Sequence, residues 1–196
     1  AVHPPNPKYI PKPYEQMDHP GQRFQIDVKY VPSSCLKNSN VIGKKFFQYT
    51  AIDEYSRWRF VEAFEEHSSY SSAIFLEHLV KAFPCSIECV QTDNGPEFTN
   101  RFTTSRDKPT LFQKHLELHG ITHKLIKPYT PRHNGKVERS HRKDNERFYA
   151  THSFYSFDDF ANQLKIYNRR DYNNFPMRPL RWKSPAQVLH DFLRSL

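Results

Sequence analysis

Alternation of apolar and polar residues marks the first ordered stretch. Over residues 23–31, Phe24, Ile26, Val28 and Tyr30 fall on one side, and Gln25, Asp27 and Lys29 on the other. That two-residue period predicts a strand with one face in a core. Residues 33–40 are rich in turn formers, and residues 45–53 and 58–64 then read as two further strands with a four-residue connection. Three consecutive strands with short links predict an antiparallel meander. The period changes at residue 69. Ile74, Leu76, Leu79, Val80 and Phe83 recur at helical spacing, which predicts a helix over 69–83. A short strand follows over 86–92, a helix over 110–118 ending at Gly120, and a strand over 121–126. Residues 129–135 read as a loop, and residues 136–149, 157–172 and 184–196 as three helices. A meander followed by alternating strands and helices predicts an α/β fold, a five-stranded mixed sheet with helices on both faces.

Six prolines within residues 1–20 deny that segment helical donors and predict an extended arm or linker. The organisation expected is therefore an arm over 1–20, a core over 21–150 and a helical extension over 151–196. The arm suggests a join to a segment upstream.

Composition narrows the classes. Aromatic residues make up 15% of the 196, with 16 Phe and 11 Tyr, enough for a packed core although only 37% of residues are hydrophobic. No run of 18 apolar residues exists, so no membrane-spanning helix is expected. Three cysteines at no ligand spacing argue against a disulfide framework or a zinc module and for a reducing compartment. The net charge of +8 lies entirely in residues 121–196, because acids and bases balance over residues 1–120. Such polarity fits a polyanionic partner, or simply a solvated basic surface.

Three acids stand out. Asp27 lies mid-strand, where a carboxylate is disfavoured unless something rewards it. Asp93 ends a strand and enters Asn94-Gly95-Pro96, a turn that stops the strand abruptly. Glu138 lies in the first turn of a helix, on a face shared with Asn134, Arg142, Asn145 and Tyr149. Each has a plain structural reading, as an edge residue, a turn former or a helix-dipole stabiliser. Brought together, they would repel unless a cation joined them, and oxygen-only ligands suit Mg²⁺ or Mn²⁺. Asp53 reads as a strand-end residue pairing with Arg57, Glu97 as a supporting group near Asp93, and Glu146 as solvated.

The segment Gln91-Thr92-Asp93-Asn94-Gly95-Pro96-Glu97-Phe98 resembles the second-acid motif of the DDE transposase and retroviral integrase catalytic core. Pro128-Tyr129-Thr130-Pro131-Arg132-His133-Asn134-Gly135-Lys136-Val137-Glu138-Arg139 resembles the third-acid segment of bacterial insertion-sequence transposases. Phe24-Gln25-Ile26-Asp27 is similar to the first acid on its strand, and residues 51–57 to the hairpin that follows it. The resemblance covers about residues 21–189 and implies an RNase H-like fold. It implies Asp27, Asp93 and Glu138 as catalytic residues holding two Mg²⁺ or Mn²⁺ ions, with DNA end cleavage and strand transfer as the chemistry. It also implies a homo-oligomer acting on transposon ends and target DNA in a bacterial cytoplasm, with no membrane and no small-molecule substrate. A nuclease that cuts without joining, and a DNA-binding module without catalysis, are the competing readings. One departure from the pattern is length: 44 residues lie between Asp93 and Glu138, more than in many members, and residues 101–110 look like the extra loop. Arg132, His133, Asn134, Lys136, Arg139, Arg142 and Lys143 are the expected DNA contacts, with Lys136, Arg139 and Lys143 on phosphates.

Overall fold

The computed structural model describes residues 15–127 and 134–196. The first fourteen residues of the proline-rich arm, and Arg132 and His133 of the expected DNA contacts, lie outside the described residues.

Strands β1 (Phe24–Tyr30), β2 (Phe47–Asp53) and β3 (Arg59–Phe64) form the antiparallel meander. Strands β4 (Cys89–Thr92) and β5 (Thr122–Leu125) add to the other side of β1, each parallel to its neighbour, giving the order β3-β2-β1-β4-β5. The five-stranded mixed sheet is the one expected. β1 is central, between β2 and β4, and one of its faces is apolar. Phe24 and Ile26 are wholly buried there, together with Phe47, Tyr49 and Ala51 of β2 and Val90 of β4.

Helix α1 (Ser69–Ala82) covers that face with Phe75, Leu76 and Leu79, and α2 (Leu111–Leu118) adds Phe112 and Leu116. Both helices begin at side-chain caps: Ser68 accepts from the Ser71 amide, and Thr110 and Gln113 form a reciprocal capping box. Glycine is required at residue 21, where φ is +87° and a Cβ would stand 2.0 Å from the Ser86 carbonyl oxygen. Residues 101–109 are exposed turns ahead of α2, so the extra length between Asp93 and Glu138 is accommodated outside the core.

The other face of the sheet is different in kind. Gln25 and Asp27 of β1, Gln48 and Thr50 of β2 and Arg59 of β3 point toward helix α3 (Gly135–Asp144). The helix expected over 136–149 is interrupted. Its last turn, Asn145–Tyr149, widens to π geometry, which turns Phe148 and Tyr149 inward. They join Phe46, Val61, Phe154 and residues Phe160, Leu164 and Tyr167 of helix α4 (Phe157–Tyr167) in a second apolar cluster. The residues expected as an extension beyond 150 therefore share a core with β2 and β3. The helix expected over 157–172 likewise passes into a π-helical turn, Asn168–Asn173. Helix α5 (Pro185–Leu193) closes the chain and places Leu189 in the first cluster. No helix among the described residues is long and apolar enough to cross a membrane.

Candidate active site

Asp27 and Asp93 meet across two neighbouring strands. β1 and β4 pair with Phe24 opposite Val90 and Gln25 opposite Gln91. Carried on by two residues, that register sets Asp27 level with Asp93, one strand spacing of about 4.8 Å away along the sheet. Asp93 lies just past the end of β4. Its Oδ1 accepts from the Gly95 amide at 2.9 Å, and the turn departs there. A Cβ at residue 95 would stand 2.4 Å from the Glu97 carboxylate, which would have to swing aside. Glu97, expected to support Asp93, pairs with His67 at 2.9 Å.

Helix α3 brings in Glu138. The helix runs along β1. Gln25 accepts from the Lys136 and Val137 amides at 3.0 and 3.2 Å, His141 reaches Asp27 at 3.3 Å, and Asn145 bonds Lys29. Four helical residues rise about 6 Å and two strand residues about 6.6 Å, which is why the steps stay matched. Gln25 supplies the cap that Asn134 does not, since Asn134 makes no side-chain cap bond and instead donates to the Ile26 carbonyl at 3.3 Å. At about 100° per residue, Val137, His141 and Asp144 form the buried stripe, with Ser140 on one flank and Glu138 on the other. Ser140 accepts from Arg59 of β3, so the opposite flank, with Glu138, faces β4 and Asp93.

The electrostatics agree with this placement. Burial pushes the Asp93 carboxyl up, and the Asp27 charge pushes it further. Burial and then Asp27 do the same to Glu138. Asp27 is thus the carboxylate that both others sense. As the side chains lie, no group of three or more His, Cys, Asp or Glu among the described residues is gathered tightly enough to hold a metal ion. Each aspartate carboxylate accepts a hydrogen bond from the protein instead, Asp27 from the Val28 amide and Asp93 from the Gly95 amide, and the His141 ring lies 3.3 Å from Asp27 as an ion-pair contact. The donor set nevertheless suits a hard divalent cation, all oxygen and with two carboxyls raised by a like charge that a cation would offset. One turn before Glu138, the Asn134 side-chain oxygen is buried and has no hydrogen-bond partner among the described residues.

The expected DNA contacts separate into two kinds. Asn134 is buried against β1, and the Lys136 ammonium is bound to the buried Glu54 carboxylate at 2.5 Å, which also accepts from Arg23 and Gln25. Arg139 and Arg142 are exposed. Lys143 is partly buried, and burial together with Arg147 and Arg139 lowers its pKa. On the flank away from Glu138, Arg139 and Lys143 line a cavity of about 640 Å³ with Arg57 and Arg178. Asp53, expected to pair with Arg57, hydrogen-bonds instead to Ser56 and to the Gly21 amide. Glu146 is exposed, as expected, and the three cysteines are free thiols.

Models of the integrase core domain match residues 17–131 and residues 119–185. The chain belongs to the integrase core domain family. Its relatives include the ORF3 protein of Spiroplasma virus SpV1-C74, whose name assigns it provisionally to the integrases. That protein is 27% identical over 152 residues, 74% of this chain and 41% of its own length. This integrase core thus spans less than half of that relative. Among solved structures, a chain of the simian T-cell lymphotropic virus intasome superposes with a TM-score of 0.66 at 18% identity, over 94% of this chain and 60% of that one. The HTLV-2 integrase catalytic core domain, solved in complex with magnesium, superposes with a TM-score of 0.61 at 18% identity, over 87% of this chain and 97% of that one. At that identity the likeness establishes the fold, which is RNase H-like as expected.

The residues that sequence reasoning passed over are Gln25, Gln48, Thr50 and His141. For the first three the signal was a row of polar side chains on one face of two strands, whereas His141 lies on α3 and had no such signal.

Proposed function

We propose that this integrase core carries out metal-dependent DNA end cleavage and strand transfer, with Asp27, Asp93 and Glu138 holding the divalent ions. What supports the reading is that the Asp27 charge on β1 raises both the Asp93 carboxyl, just past β4, and the Glu138 carboxyl, in the first turn of α3. Bound Mg²⁺ or Mn²⁺, two ions in the active complex, would supply activation of the attacking oxygen and neutralisation of charge at phosphorus. The protein's part is to hold and aim the carboxylates. Asp27 is fixed on a central strand, Asp93 by its turn onto Gly95, and Glu138 by the capping of α3 on Gln25. Substrate DNA would run along the exposed side of α3, where Arg139, Arg142 and Lys143 meet phosphates without reading sequence. Lys136 and Asn134, engaged within the protein, would act on DNA only through the position of α3. Assembly as a homo-oligomer on mobile-element ends in a bacterial cytoplasm completes the proposal.

The test uses labelled DNA carrying the element's ends and full-length protein, with and without Mg²⁺ or Mn²⁺. Metal-dependent nicking that leaves a 3′-hydroxyl, followed by joining of that end to target DNA, is expected. Glu138→Gln should reduce both steps to background. Normal joining by that variant would refute the triad, and cleavage without joining would leave a nuclease.

A further inference from the structure

Asp27 does not stand alone on its strand. Its Oδ1 accepts from the Val28 amide at 2.9 Å, and its Oδ2 lies 3.3 Å from His141 Nδ1. The other imidazole nitrogen, Nε2, lies 3.0 Å from the Thr50 hydroxyl. Behind Thr50 the contacts continue to Gln48, Asp144 and Arg59, and every polar hydrogen along this path is dictated by the one before it.

Arg59 and Asp144 are wholly buried and paired at 2.8 Å. Burial works against ionisation of Asp144, but Arg59 and Gln48 outweigh it and hold the carboxyl below its usual range. An ionised carboxylate only accepts. Gln48 must therefore present its amide nitrogen to Asp144, at 2.8 Å, and its oxygen to the Tyr149 hydroxyl, at 2.6 Å. The second Gln48 N–H then points to Thr50 Oγ1 at 3.0 Å. Among the described residues the Thr50 hydroxyl hydrogen has no acceptor other than His141 Nε2, so the hydroxyl donates there. A neutral imidazole that accepts at Nε2 carries its proton on Nδ1. That proton faces Asp27.

We propose that His141 is a positioning residue for Asp27, locked by the Arg59–Asp144–Gln48–Thr50 chain in the tautomer that donates from Nδ1. The donor fixes one carboxylate oxygen of Asp27 and leaves its remaining lone pairs for a divalent ion. The inference rests on the reading of Asp27 as a metal ligand. Outer partners of this kind commonly change metal affinity by about 10–100-fold.

The measurement is made on the present chain, free of metal, at a pH where imidazole is neutral. Two-bond ¹H–¹⁵N couplings report which ring nitrogen is protonated, and the His141 resonance is identified by its loss in His141→Asn. The Nδ1–H form is expected. Thr50→Val, close to isosteric, removes the hydroxyl donor and should raise the share of the Nε2–H form against the Asp27 carboxylate, which still favours Nδ1–H, while Thr50→Ser restores the wild-type ratio. Calorimetric titration with Mn²⁺ should show affinity weakened by about 10–100-fold in Thr50→Val and recovered in Thr50→Ser. His141→Asn, whose amide nitrogen can replace Nδ1, should bind Mn²⁺ better than His141→Gln, which can replace only Nε2. An Nε2–H tautomer in the wild-type chain, or an unchanged tautomer ratio in a folded Thr50→Val, would overturn the proton chain. Equal Mn²⁺ affinity in His141→Asn and His141→Gln would overturn the positioning role. If the wild-type chain showed the Nδ1–H form but took up no Mn²⁺, the metal-site reading would fail and the positioning role with it.

Discussion

Asp144→Asn removes one charge from a place where the other cannot be neutralised or hydrated. Arg59 and Asp144 have no exposed surface, and Nη1 of Arg59 donates to both carboxylate oxygens at 2.8 and 2.9 Å. Removing one partner of a buried pair costs about 3–5 kcal/mol, because an uncompensated charge is left behind. Two features keep the expected loss within that range. Asn168 still accepts from Arg59 Nε at 2.7 Å, and the Tyr172 ring still lies 3.8 Å from the guanidinium carbon. Against a total stability of about 5–15 kcal/mol, the loss is large. In urea, with a slope of about 2 kcal/mol per molar, the unfolding midpoint should fall by about 1.5–2.5 M. The double variant Arg59→Met with Asp144→Leu should be less damaged than either single change, because well-packed apolar replacements of buried pairs often cost little. The cycle, measured by circular dichroism with fitted slopes, should show a coupling of several kcal/mol. A midpoint within 0.3 M of wild type for Asp144→Asn, about 0.6 kcal/mol, or strictly additive effects in the cycle, would refute the argument.

Burial lowers the His123 pKa from 6.5 to about 4. A depressed folded-state value stabilises the fold above pH 6.5, and the contribution is lost as pH falls toward 4. With the ring only partly buried, the effect is at most about 3 kcal/mol. His123→Gln should therefore flatten the acid limb of a stability-versus-pH curve over that window, and an unchanged limb would count against the assignment. Gly21→Ala should destabilise by about 2 kcal/mol or more by urea titration, combining a left-handed φ with the clash on Ser86. Arg139→Gln with Lys143→Gln should lower the slope of log affinity for DNA against log salt by about 2, with no change in sequence preference in a competition assay.

Much of the architecture was legible because strand alternation and helical spacing report burial directly. Phe24 and Ile26, and Ile74 through Phe83, needed only their neighbours in sequence. The π-helical turns were not legible, since widening a turn at Asn145 is decided by where Phe148 and Tyr149 find an apolar cluster made by Phe46 and Phe154. The three acids could be named from local motifs, but which residues support them could not. Thr50 is an ordinary strand threonine until His141, 91 positions later, is laid over it. The basic helix shows the same limit. Its composition announced cations, whereas only the fold shows that Lys136 is held by Glu54 while Arg139 faces outward.

The solvation of Arg59 also orders events during synthesis. The acceptors of its guanidinium are Asp144, Ser140 and Asn168, all emerging from the ribosome long after β3 itself. Until they arrive, the guanidinium must remain in water, and the polar face of the meander cannot close. A nascent chain therefore keeps this face open until residue 168 has been made, and a fragment cut before that point would carry a strand with a charge it cannot bury.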